Sequence, residues 1–168
     1  CPPGQYCQPG TAVARGNMRN FSAPQPCAES MYCPEGSESP SGVGSCPRGH
    51  YCPFGVRLAC PAGAFCPRDG LSSPIVCEPG FFNGMVGQVR CTACPRGTLQ
   101  HLAAQSSCET CPGQGIDCEI RDAVNVKRGF YRASNTSAIT PYRCPEHSHL
   151  ACAGGVEPGD ASCVFGHH

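Results

Sequence analysis

Tryptophan is absent from this chain of 168 residues, and seven phenylalanines with five tyrosines are its whole aromatic complement. So few large rings cannot build a continuous apolar core, because their burial would not offset the entropy of ordering so many residues. A surplus of charge of one sign is missing as well, since 12 Lys and Arg face 12 Asp and Glu. Neither nucleic acid nor an anionic membrane is therefore an expected partner. There is no apolar run of about 18 residues to span a bilayer, and no amphipathic helix of useful length is visible. No leader of charged, apolar and small residues precedes Cys1, so a mature or excised segment of something longer is expected.

What the chain has instead is 17 cysteines, 21 glycines and 18 prolines. Cysteine at that density reads as a disulfide scaffold from an oxidising, extracellular or cell-surface compartment. Each native bridge in a small secreted domain contributes about 2–5 kcal/mol, so staples can supply what burial cannot.

Aligning the cysteines on the glycine that follows brings out a repeat. CPPGQYCQPG at 1, CAESMYCPEG at 27, CPRGHYCPFG at 46 and CPAGAFCPRDG at 60 share the form C-P-x-G-x-aromatic-C-x-x-G, with Ala28, Glu29, Ser30 and an extra Asp69 as departures. Proline presets φ at the first central position of a β-turn, and glycine allows the positive φ that reverses the chain. The starts lie 26, 19 and 14 residues apart, so the turn is specified and the linking loop is not. Tyr6, Tyr32, Tyr51 and Phe65 stand five residues after each first cysteine, where each is expected to pack on a disulfide and give its module a miniature core.

From Cys77 the form changes. CEPGFFNGMVGQVRC and CPRGTLQHLAAQSSC are of equal length and are followed by the dipeptides TA and ET, with Phe82 and Leu99 again in the fifth position. This stretch, 77 to 111, resembles the ephrin type-A/B receptor-like cysteine-rich repeats, which are similar to the first half of a tumour necrosis factor receptor module. RGFYRASNTSAITPYRCPEHSHLACAGG at 128–155 also resembles the segment that follows such repeats, with a Gly-aromatic-aromatic-Arg strand leading to a Cys-x-Gly-Gly turn. The resemblance implies an elongated, disulfide-laced spacer of a large extracellular protein, with no catalytic residue to carry over. The expected fold class is a small disulfide-rich tandem array of short β-hairpin and turn modules with almost no helix. Its strands should be two to four residues long, with the best candidates at Gln88–Cys91 and Val124–Arg132. Three regions are expected: four repeats over 1–76, ephrin receptor-like modules over 77–118, and a C-terminal cysteine-rich segment over 119–168.

Spacing alone does not fix connectivity. Sequential pairing joins Cys1–Cys7, Cys27–Cys33, Cys46–Cys52, Cys60–Cys66, Cys77–Cys91, Cys94–Cys108, Cys111–Cys118 and Cys144–Cys152, and leaves Cys163 unpaired within the fragment. The opposite phase would need Cys91–Cys94 and Cys108–Cys111 bridges across strained, reducible C-x-x-C loops. Crossed bridging of Cys46 with Cys60 and Cys52 with Cys66 stays open, since it repeats the fourteen-residue step of the later modules.

Other chemistries compete for the same residues. CTAC at 91 and CETC at 108 approach zinc-ribbon spacing, yet a four-ligand site explains none of the other thirteen cysteines. Thioredoxin-like exchange needs its C-x-x-C at a helix start. His50, His101, His147, His149, His167 and His168 read as exposed loop residues, the last pair being a turn or a tag remnant. No cofactor or catalytic set is expected, because hydrolytic chemistry needs a packed supporting shell. The cluster Lys127, Arg128, Phe130, Tyr131, Arg132, Tyr142 and Arg143 is either a glycan- or partner-binding surface or a half-packed strand.

Asn20-Phe21-Ser22 and Asn135-Thr136-Ser137 are N-glycosylation sequons in the two longest inter-cysteine loops of the two halves. The function expected is that of a non-enzymatic, glycosylated extracellular structural protein. It would form a stiff rod whose partners are other copies or related chains in a coat, fibre or flagellar-type appendage. A receptor ectodomain binding a protein ligand is the alternative, and a zinc protein the third reading.

Overall fold

With no large apolar stretch to drive collapse, the backbone must satisfy its own polar groups locally, and the architecture follows from that requirement. The computed structural model describes residues 1–8, 23–133, 139–144 and 152–156. Among them there is no α-helix, and the regular structure is a series of two-residue antiparallel pairs. These are β1 (Gln5–Tyr6) with β2 (Gln25–Pro26), β3 (His50–Tyr51) with β4 (Leu58–Ala59), β5 (Ala64–Phe65) with β6 (Ile75–Val76), β7 (Phe81–Phe82) with β8 (Thr92–Ala93), β9 (Thr98–Leu99) with β10 (Glu109–Thr110), β11 (Ile116–Asp117) with β12 (Asn125–Val126), and β13 (Phe130–Tyr131) with β14 (Tyr142–Arg143). Within each pair the second strand runs directly into the next module. The Cys27 module has a single bridge instead, between Met31 and Ser45. A 3-10 turn at Pro53–Gly55 is the one helical piece among the described residues.

The strand expectations were partly off. Gln88–Cys91 forms no strand, and Val124–Arg132 is interrupted at 127–129, so that its two ends belong to different hairpins. Gly129, at φ 86°, reverses the chain between them.

Two compact units form, Cys1–Val76 with Met85–Arg90 and Cys77–Gly84 with Cys91–His168. In the first unit, Gly4 donates its N–H to Cys33 O at 2.9 Å, and Cys27 N–H returns to Gly4 O at 3.1 Å. The same reciprocal pair joins Gly49 to Cys66 and Cys60 to Gly49. Thus the turn glycine of one module is clamped between the two cysteines of the next. Ser30 holds the glycine place of the Cys27 module, keeps φ at 65°, and accepts Cys46 N–H at 2.8 Å. The extra Asp69 has a task as well, since its Oδ1 accepts the Arg48 N–H at 2.7 Å.

For the Cys46 module the expectation of a private core is corrected. Tyr51 packs against Cys60, Cys66 and Leu71, the bridge and loop of the following module. There the aromatic of the turn covers the next disulfide, because a two-residue hairpin has no interior of its own.

In the second unit, Gly80 N–H reaches Gln100 O at 2.7 Å while Cys94 N–H reaches Gly80 O at 2.9 Å. Ala104 there donates to Cys77 O at 2.8 Å, as Gly36, Gly70 and Gly87 donate to the carbonyls of Cys1, Cys46 and Cys60 in the first unit. Ala104 does so at φ 61°, a conformation that costs an L-residue about 1–2 kcal/mol. Ala104→Gly is therefore expected to stabilise the second unit by about 0.5–1 kcal/mol, after glycine's larger loss of chain entropy. The shift of a guanidinium unfolding midpoint checks it, and a destabilised variant would contradict it.

Candidate functional site

Eight disulfides are the first chemical feature to place. They join Cys1–Cys7, Cys27–Cys33, Cys46–Cys52, Cys60–Cys66, Cys77–Cys91, Cys94–Cys108, Cys111–Cys118 and Cys144–Cys152, with Cα separations of 5.7 to 6.6 Å. The four cysteines of CTAC and CETC each bond to another cysteine, so none is a thiolate available to zinc. Cys163, Asn20, Asn135, His147, His149, His167 and His168 lie outside the described residues.

Where the cysteines are not is equally informative. The residue after each module's first strand occupies a recurring place, defined by an N–H that reaches a carbonyl beyond the next module's turn: Cys33 to Gly55, Cys52 to Leu71, Cys66 to Gln88. In the Cys77 and Cys94 modules that place is held by Asn83, bonded to Gln105 O, and by Gln100, bonded to Arg121 O. Both side chains are buried. Gln100, 2% exposed, donates Nε2–H to Ser107 O at 3.0 Å and accepts Leu102 N–H on Oε1 at 3.0 Å. Its amide pins the loop that the displaced Cys108 closes further on. Gln100→Leu keeps the volume and leaves two backbone groups unpaired, an expected loss of about 1–3 kcal/mol. Hydrogen exchange at Leu102 should accelerate in the variant, and unchanged protection would refute the pinning.

The segment from Lys127 is a further module without a disulfide, which sequence reasoning missed. Lys127 N–H bonds Gly115 O at 2.8 Å, the bond a first cysteine makes in Cys60 or Cys111. Gly129 is clamped between Cys152 O and Cys144 N–H, each at 3.0 Å, as Gly4 is between Cys33 and Cys27. Arg132 therefore holds the second cysteine place of this module, while the first is shared. Lys127 makes the entry bond, but Phe130 N–H reaches Lys127 O at 3.1 Å as His50 N–H reaches the carbonyl of Pro47, and Val126 O accepts Gly155 N–H at 2.8 Å as Cys46 O accepts Gly70 N–H. Arg132 is 4% exposed and donates Nη2–H to Val156 O at 3.0 Å. The signal was present in Gly-aromatic-aromatic-Arg, which is the repeat's Gly-x-aromatic-Cys with the cysteine exchanged.

Burial compensates at this point. Leu99, Ile116, Val124, Val126 and Ile139 form an apolar cluster with Phe130 and Cys111 packed on it. A fully buried aliphatic side chain contributes about 1.5–3 kcal/mol, so two of them offset one missing bridge of about 2–4 kcal/mol. The basic and aromatic cluster is consequently divided. Phe130 and Arg132 support the fold, the rings of Tyr131 and Tyr142 meet across the strands at 5.6 Å, and Lys127, Arg128 and Arg143 remain exposed.

Beside this module the second unit has a cleft of about 480 Å³, lined by Arg96, Asp117, Cys118, Glu119, Arg121 and Lys127. Arg121 is anchored through Nη1–H to Cys94 O at 3.0 Å. Asp117 is turned by its own contacts, Oδ1 accepting Glu119 N–H at 3.1 Å and Oδ2 facing Asn125 Nδ2 at 3.4 Å. Lys127 lines the cleft from the start of this module's turn, where its side chain is exposed.

No curated protein matches the chain. Residues 80–128, from the turn glycine of the Cys77 module to the edge of the cysteine-free module, match the family described as tyrosine-protein kinase ephrin type A/B receptor-like, so this stretch carries an ephrin receptor-like cysteine-rich module.

Proposed function

We propose that this extracellular, disulfide-rich chain serves as a stiff, glycosylated spacer that assembles with copies of itself or with related chains. Ephrin receptor-like modules are in general non-catalytic, in keeping with a mechanical role. The observation that carries the reading is the reciprocal glycine clamp, made at Gly4 and Gly49 in the first unit and at Gly80 and Gly129 in the second. Two hydrogen bonds on either side of one turn residue resist both bending and twisting, and a short covalent loop on each module keeps the donors in register. Stiffness then propagates by nearest-neighbour contacts, as in other repeat arrays. N-linked glycans at Asn20 and Asn135 would protect the two longest loops of the two halves from proteases, and a mass loss on endoglycosidase treatment of the secreted chain tests their occupancy.

Small-angle scattering of the secreted chain over a concentration series tests shape and assembly together. A compact monomer of this length has a radius of gyration of about 15 Å. A spacer should exceed that by about twofold at high dilution and grow by association as concentration rises. A value near 15 Å would sink the spacer reading, and an extended chain that never associates would sink self-assembly in favour of a receptor ectodomain.

A further inference from the structure

We propose that the cleft beside the cysteine-free module binds an acidic saccharide, with its anionic group between Arg96 and Lys127 and its ring hydroxyls on Glu119. The lining contains no aliphatic or aromatic side chain. It offers three cations, two carboxylates and one bridged cysteine, so the occupant is polar and, by the balance of charge, carries negative charge. Not all of these groups are equally available. Asp117 already accepts from Glu119 N–H and faces the Asn125 amide, and one nitrogen of Arg121 is committed to Cys94 O. Among the described residues Arg96 and Lys127 have no ion-pair partner, and both are exposed at the cleft. The anion-binding arms are therefore Arg96 and Lys127, with the remaining N–H groups of Arg121 between a fixed anchor and the ligand. Arginine presents a planar fork that matches a carboxylate or sulfate with paired hydrogen bonds, each stronger than a neutral one.

Glu119 separates a saccharide from a bare anion. Its carboxylate lies in a cleft otherwise dominated by cations, where it repels a simple anion but accepts hydrogen bonds from hydroxyl groups. A polyhydroxyl ring bearing a carboxylate or sulfate uses both kinds of group at once. The volume suits one or two sugar rings, within the usual range of ligand clefts of about 300–1,000 Å³. The inference is independent of the spacer reading, since it rests on six side chains of one unit.

The test is calorimetric titration of the full chain with a chondroitin sulfate tetrasaccharide at low salt, with inorganic sulfate as the competing probe. Arg96→Gln with Lys127→Gln is expected to weaken binding by about tenfold or more, and Arg96→Gln alone by less. Arg128→Gln, equally basic but outside the cleft, should change it by less than about twofold. Glu119→Ala gives the decisive sign. Electrostatics alone predicts tighter binding, whereas hydroxyl acceptance predicts weaker binding, and we expect weaker binding of the tetrasaccharide with no weakening for sulfate. Absence of binding at millimolar concentration, equal loss in Arg128→Gln, displacement by equimolar sulfate, or tighter binding in Glu119→Ala would each overturn the proposal.

Discussion

Replacing Cys46 and Cys52 together by serine is expected to cost the first unit about 3–5 kcal/mol and to release no additional thiol. Both sulfurs are completely buried, and their bridge closes a loop with a sequence separation of 6. Loop closure of that length contributes about 2 kcal/mol, and two buried hydroxyls without partners add about 1–3 kcal/mol. The neighbourhood amplifies the loss. Cys46 receives Gly70 N–H on its carbonyl and donates to Ser30 O, while Cys52 donates to Leu71 O, so three segments meet at one staple. Unfolding in guanidinium measures the stability. Thiol counting in denaturant measures the connectivity, because crossed pairing would leave Cys60 and Cys66 free in this variant. Two new alkylatable thiols, or an unchanged midpoint, would contradict the structure.

Gly42→Ala should be about as damaging, at about 2–5 kcal/mol. Gly42 sits at φ 52°, and a Cβ there would collide with Tyr32 O and lie 2.6 Å from Cys33 Sγ and 2.9 Å from Cys33 Cα. None of these is the far end of a flexible side chain. The left-handed conformation costs an alanine about 1–2 kcal/mol, and overpacking adds about 1–3 kcal/mol. The variant would push against Tyr32 just where Tyr32 N–H bonds Gly44 O and Tyr32 O accepts Val43 N–H. Gly36 provides the control. Its φ is 84°, yet nothing lies within 4 Å of its Cβ position, so Gly36→Ala should show the conformational cost alone. Equal losses at the two glycines in denaturant melts would show that packing at Gly42 is not the cause.

Much of the architecture was readable from local chemistry. Proline after cysteine and glycine two residues later specify a turn whatever surrounds it, so the short hairpins at Gln5–Tyr6, His50–Tyr51, Ala64–Phe65 and Thr98–Leu99 follow from a few residues each. The ephrin receptor-like resemblance was likewise carried by spacing, and the family match falls within the stretch from Cys77 onwards. Strand length was less legible. Val124–Arg132 has the composition of one continuous strand, but Gly129 at positive φ ends it after Val126, and a glycine in a strand pattern has no single meaning until its neighbours are known.

The cleft was not legible at all. Arg96, Arg121 and Lys127 are spread over three modules, and no motif links them. The basic and aromatic segment stands out for its charge, yet one of its arginines is buried structure and its phenylalanine packs on the apolar core. Composition cannot separate these roles, because exposure is decided by which module lies next to which.

The sequence by itself determined that the chain would be a set of stapled turns, since cysteine density, proline and glycine act through covalent geometry and short-range sterics. Tertiary structure alone decided three other things. It decided that Tyr51 covers the bridge of the following module, that Arg132 reaches the carbonyl of Val156, and that Lys127 comes to a cleft with Arg96. The reason is physical. Each of these depends on backbone hydrogen bonds between modules, whose linking loops vary in length, so nothing in the spacing of the chain says which carbonyl a given N–H will reach.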